Sequence, residues 1–70
     1  MKQYQYIEAK NAIEQQIPIS QETYDSLVAL RDQHQEKINE LFFAWDVDQA
    51  LYLNRKKMEI NELISKAIIA

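Results

Sequence analysis

The chain of 70 residues contains no glycine. Average usage near 7% would supply about five glycines in a chain of this length. Glycine is the default residue wherever the backbone needs a positive φ, so such turns must here use Asn, Asp or a strained residue. Tight β-hairpins are therefore disfavoured. Phosphate-binding loops built on glycine, including the P-loop and the dinucleotide fingerprint, are excluded.

The length predicts one small domain over residues 1–70, near the size at which a single core only just offsets chain entropy. There is no cysteine, so neither a disulfide framework nor a thiolate metal site can support this core. The longest uncharged apolar run is residues 41–45, which is too short for a signal peptide or a membrane span. We expect a soluble cytoplasmic protein without a cofactor or a bound metal.

The small net charge of −3 hides an uneven distribution. Residues 20–50 carry seven acidic and two basic side chains, whereas residues 51–70 carry four basic and two acidic ones. This separation of acidic and basic segments can align antiparallel helices within one chain or pair two chains. It argues against direct nucleic-acid binding, which needs a basic face to replace phosphate counterions.

The first segment is predicted to be a short helix over about residues 4–16. Pro18 lacks an N–H and disfavours the helical conformation of the residue before it, so a preceding helix must stop by Gln16. The alternation in residues 3–6 also fits a strand. A helix is favoured because a single strand has no evident pairing partner in this chain.

Two longer helices are predicted after the proline. Ser20 is a good N-cap for a helix over residues 21–44, and Asp46 or Asp48 can cap a third helix that extends to about Ile68. Both carry apolar seams with spacings of three and four residues. The seam of the second helix comprises Leu27, Arg31, His34, Ile38, Leu41 and Trp45, and that of the third comprises Leu53, Lys57, Ile60, Ile64 and Ala67. The predicted fold class is all-α: a small helical bundle of two long antiparallel helices and a short N-terminal helix.

The third helix carries a second seam, and this seam predicts a homodimer. It comprises Val47, Leu51, Asn54, Met58, Asn61 and Ser65. A helix with two seams needs two neighbours. The alternative is that the first helix covers this seam within one chain. The opposed charges favour an antiparallel dimer in which the acidic segment of each chain meets the basic segment of the other.

Three aromatic residues crowd the junction between the long helices. Phe42, Phe43 and Trp45 cannot all face water without losing burial energy, so we expect Trp45 to be at least partly buried. If Phe43 stays outside while Phe42 and Trp45 are buried, Phe43 is the best candidate for an anchor that binds a partner.

The remaining polar groups do not form a recognisable catalytic motif. His34 is the only histidine, and a half-buried position within the bundle is favoured over a role as a general base or a pH-sensitive contact. Asp46-Val47-Asp48 resembles the start of a calcium loop, but the central glycine is absent and Lys57 stands at the twelfth position. The basic run Arg55-Lys56-Lys57 spreads around a helix, and Arg55 is expected to pair with Glu59 and Glu62.

The sequence thus favours a non-enzymatic protein–protein interaction module, such as a small acidic regulator, inhibitor or assembly factor of bacterial or phage type. The alternative is a nucleic-acid-associated transcriptional co-regulator that acts through a basic partner. A small enzyme that uses His34 is a further alternative. The predicted partner-binding residues are Phe43, Trp45, Leu51, Met58, Arg31 and His34.

Overall fold

The computed structural model describes all 70 residues and contains three helices. They are α1 (Gln3–Glu14), α2 (Gln21–Phe43) and α3 (Val47–Lys66). Helices α2 and α3 pack together as a long antiparallel hairpin, and α1 lies against the open end of this hairpin. The predicted all-α class is confirmed. The predicted bounds of α2 agree within one residue, whereas α1 and α3 each end two residues earlier than predicted.

The predicted N-caps of the two long helices are confirmed. The Ser20 hydroxyl oxygen accepts a hydrogen bond from the Thr23 N–H at 3.1 Å. The Asp46 carboxylate accepts one from the Gln49 N–H at 3.4 Å. Each cap satisfies one of the N–H groups that the first helical turn leaves without a partner.

The C-termini of α1 and α2 end in the same backbone motif. Gln16 and Trp45 both have a φ of 61°, which is the left-handed region. The Ile17 N–H then donates to the Ala12 carbonyl at 2.8 Å, and the Asp46 N–H donates to the Leu41 carbonyl at 2.8 Å. These six-to-one hydrogen bonds define a Schellman motif, which usually has glycine at the left-handed position. A chain without glycine therefore uses Gln and Trp there.

The core is small, with eight buried residues. Five of them form one cluster at the open end of the hairpin: Ala9, Ile13, Ile19, Leu27 and Leu63. The other three lie on α2 and α3: Ile38, Ala50 and Ile60. The predicted seams thus contribute Leu27, Ile38 and Ile60 to the core.

A backbone strap closes the open end of the bundle. The Ile19 N–H donates to the Ile68 carbonyl at 2.7 Å, and the Ala70 N–H donates to the Ile19 carbonyl at 2.9 Å. This parallel bridge joins the segment after α1 to the segment after α3. Helices α1 and α3 therefore run in the same direction along the bundle.

Polar contacts to Glu59 link α1 to α3, beside the buried Ala9 and Ile13 of α1. The Tyr6 hydroxyl donates to the Glu59 Oε1 atom at 3.0 Å, and the Lys10 ammonium lies 2.7 Å from the same oxygen. Hydrogen bonds from Lys10 and Tyr6 lower the pKa of Glu59 below its ordinary value of 4.5. Burial and the neighbouring Glu59 carboxylate raise the pKa of Tyr6 to about 12. The predicted pairing of Arg55 with both acids was wrong, because Glu59 pairs with Lys10 and Glu62 pairs with Lys66.

We predict that acid loosens α1. The pKa of Glu59 is lower in the folded chain than its ordinary value of 4.5, so the Glu59 charge stabilises the fold above pH 4.5. This stabilisation is lost as the pH falls through the folded-state pKa. Glu59→Gln should speed amide hydrogen exchange in α1 at neutral pH, and the difference from the wild type should shrink in acid.

The matched control is Glu62→Gln, which removes an ion pair that lies within α3. Its α1 amides should exchange at the wild-type rate. Equal effects of both variants on α1 would contradict a docking role for Glu59.

Candidate functional site

The turn between α2 and α3 exposes its large aromatic side chains. Phe43 is 91% exposed and Trp45 is 87% exposed, whereas Phe42 is about half exposed. We call residues 42–46 the aromatic turn. The prediction that Trp45 is partly buried was wrong. Helix α2 ends at Phe43, and the left-handed backbone at Trp45 takes its side chain out of the helical register that would place it in the seam.

The Trp residue at position 45 lowers the stability of the folded chain. A residue other than glycine in the left-handed conformation costs about 1–2 kcal/mol. The exposed Trp45 side chain gains little burial in return. Folding of the single chain therefore gives no reason for Trp at this position, and residues that break local rules in this way are concentrated at functional sites.

The surroundings of the aromatic turn are acidic. Asp46 caps α3, and Asp48 lies in the first turn of the same helix without an ion-pair partner. On the α2 side, the Lys37 ammonium lies 3.4 Å from a carboxylate oxygen of Glu40. The charge beside the exposed rings is thus net negative, which favours contact with a neutral or basic surface.

The second seam of α3 is also open to solvent. Val47, Leu51 and Met58 are 44%, 51% and 60% exposed, and the Asn54 amide donates to the Met58 sulfur at 3.8 Å. Helix α1 does not cover them, because it contacts α3 on the side of Glu59. We call these four residues the outer face of α3.

Arg31 and His34 lie apart from the exposed rings. Both are half-buried on the side of α2 that faces α3. His34 Nδ1 donates to the Leu30 carbonyl at 2.8 Å, and Arg31 Nη1 donates to the Asn61 amide oxygen at 3.4 Å. The structure therefore separates the six predicted partner-binding residues into an exposed set of four and a half-buried pair whose polar atoms bond within the chain.

One shallow cleft places a histidine and an acid together. It has a volume of about 600 Å³, lies beside the start of α1, and is lined in part by His34, Lys56 and Glu59. The sequence pattern indicates Glu59 only as a partner of Arg55, because its contacts with Tyr6 and Lys10 depend on how α1 packs against α3. The Glu59 carboxylate already accepts from Tyr6 and Lys10, so its geometry is that of a structural contact.

No group of three or more His, Cys, Asp or Glu side chains in the chain is arranged to hold a metal ion. No helix is both long and apolar enough to cross a bilayer. No protein-family model, curated protein or solved structure matches the chain.

We predict that glycine at the left-handed positions stabilises the protein. Trp45→Gly and Gln16→Gly each remove an unfavourable backbone conformation and should raise the free energy of unfolding by about 0.5–1 kcal/mol. Urea unfolding followed by circular dichroism measures this change.

Ala44→Gly is the matched control, because Ala44 at the end of α2 has a φ of −85° that needs no glycine. It should destabilise the protein. A loss of stability in Trp45→Gly as large as that in Ala44→Gly would show that the indole ring supports the fold.

Proposed function

We propose that the protein is a non-enzymatic interaction module that binds a protein partner through the aromatic turn. The observation that carries this proposal is the pair of almost fully exposed rings, Phe43 and Trp45, on a turn where the second ring stands in a strained backbone position. A small regulator, inhibitor or assembly factor needs one such surface and no catalytic centre.

The chemistry of this turn suits a protein contact. Trp is enriched among residues that dominate binding energy at interfaces, because a rigid ring buries much area at a small entropic cost. The Schellman hydrogen bond from Asp46 to Leu41 fixes the backbone beneath the rings. A partner therefore meets a preorganised anchor, and less binding energy is lost in ordering the loop.

The negative charge beside the aromatic turn favours some classes of partner over others. Asp46 and Asp48 repel phosphate groups, so direct contact of this turn with nucleic acid or an anionic membrane is disfavoured. A partner with a basic surface fits better. A nucleic-acid-binding protein is one example, which keeps the transcriptional co-regulator as the alternative within the same binding mode. The cysteine-free composition supports a cytoplasmic location.

Affinity capture with paired variants tests the proposal. The tagged wild-type chain, Phe43→Ser and Trp45→Asn are compared in nuclease-treated extract of the native host, and the retained proteins are identified. We expect a protein that the wild type retains and both variants lose. With the purified partner, each variant should bind at least about tenfold more weakly.

The matched control is Tyr4→Ser, since Tyr4 is an exposed aromatic residue on α1 at 58% exposure. It should retain the same partner as the wild type. Asparagine tolerates the left-handed conformation, so Trp45→Asn loses the ring without losing the turn. Unchanged binding by Phe43→Ser and Trp45→Asn would overturn the proposal.

A further inference from the structure

The surface of the chain is larger than a monomer of this mass should have. Its accessible area is 5166 Å², whereas the scaling for monomeric proteins gives about 4,600 Å² for 8.3 kDa. The excess of roughly 600 Å² is comparable with the area that each partner buries in a small stable interface. The 41 Å long, narrow shape follows from α1 covering only part of the hairpin.

We propose that the outer face of α3 binds a second copy of this chain, with the two α3 helices antiparallel. This inference does not depend on the aromatic turn, and Asp48 is the one residue that borders both surfaces. The four residues of the outer face follow the spacing of a coiled-coil seam, at positions 47, 51, 54 and 58. When two such helices pack antiparallel, each seam residue of one helix contacts a seam residue of the other, and these contacts form successive layers along the interface.

The sequence of the outer face is self-complementary in one register. When the two-fold axis passes between residues 52 and 53, Val47 packs on Met58 of the other chain and Leu51 packs on Asn54 of the other chain. Each layer occurs twice, and every exposed apolar residue of the outer face is covered. Asn54 is the one polar residue in these layers, and its amide donates to the Met58 sulfur of its own chain.

The same register brings opposite charges together. Asp48 and Arg55 each follow a seam residue by one position, so they flank the seam on the same side of α3. In the antiparallel pair Asp48 of each chain lies beside Arg55 of the other, which gives two symmetric ion pairs. Neither residue has an ion-pair partner within its own chain.

Charge reversal and molar mass test this dimer together. Light scattering coupled to size exclusion, at micromolar concentration, should give twice 8.3 kDa for the wild type. Asp48→Arg and Arg55→Asp each place like charges opposite one another and should raise the dissociation constant about tenfold. The double variant D48R/R55D restores opposite charges and should recover the dimer.

The double variant also distinguishes loss of the ion pair from loss of helix stability. Removal of Asp48 takes an acid from the first turn of α3, and this cost remains in the double variant. A recovered dimer therefore reports the ion pair and not the stability of the helix. Circular dichroism confirms that each variant is helical.

Leu51→Asp places a carboxylate in the interface and should give a monomeric mass. Its matched control is Ile7→Asp on α1, because Ile7 is 48% exposed and Leu51 is 51% exposed. Ile7→Asp should remain dimeric. A monomeric wild type, or a dimer that Leu51→Asp leaves intact, overturns the proposal. A dimer that both single charge reversals leave unchanged overturns the antiparallel register.

Discussion

The contact between α2 and α3 supports the rest of this structure, and it rests on few side chains. Leu27 and Ile60 are the largest side chains that are fully buried, and eight of the 70 residues are buried in all. The burial energy of a core this small exceeds the entropic cost of folding the chain by only a small amount. Helix α1 adds Ala9 and Ile13 to this core, and polar contacts supplement that packing. The Glu59 carboxylate bonds to Tyr6 and Lys10 of α1, and the strap between Ile19 and Ile68 closes the open end.

Helix positions and N-caps could be predicted because their signals are local. Ser20 and Asp46 precede amphipathic segments, and a side-chain oxygen at that position satisfies a nearby N–H wherever the helix packs. The buried positions Leu27, Ile38 and Ile60 likewise follow from helical spacing. The function, the lack of catalytic activity and the self-association remain predictions, because they depend on molecules outside this chain.

The C-terminal ends and the Glu59 contacts could not be predicted in the same way. A Schellman motif is normally marked by glycine, and a chain without glycine gives no such mark at Gln16 or Trp45. The seam spacing placed Trp45 in the interface only on the assumption that α2 continues through residue 45. Glu59 meets Tyr6 and Lys10 from a helix more than 40 residues away along the chain, so no local pattern indicates that contact.

The two proposed surfaces are geometrically compatible. The two-fold axis between residues 52 and 53 brings Val47, the first residue of α3, level with Met58 of the other chain, so a rise of 1.5 Å per residue separates the two aromatic turns by at least about 16 Å along the helices. The dimer then presents two copies of Trp45 at opposite ends of its interface. A partner with two binding sites at that spacing gains avidity from the second contact without any new chemistry. The proposed self-association through α3 would therefore strengthen the binding proposed for the turn.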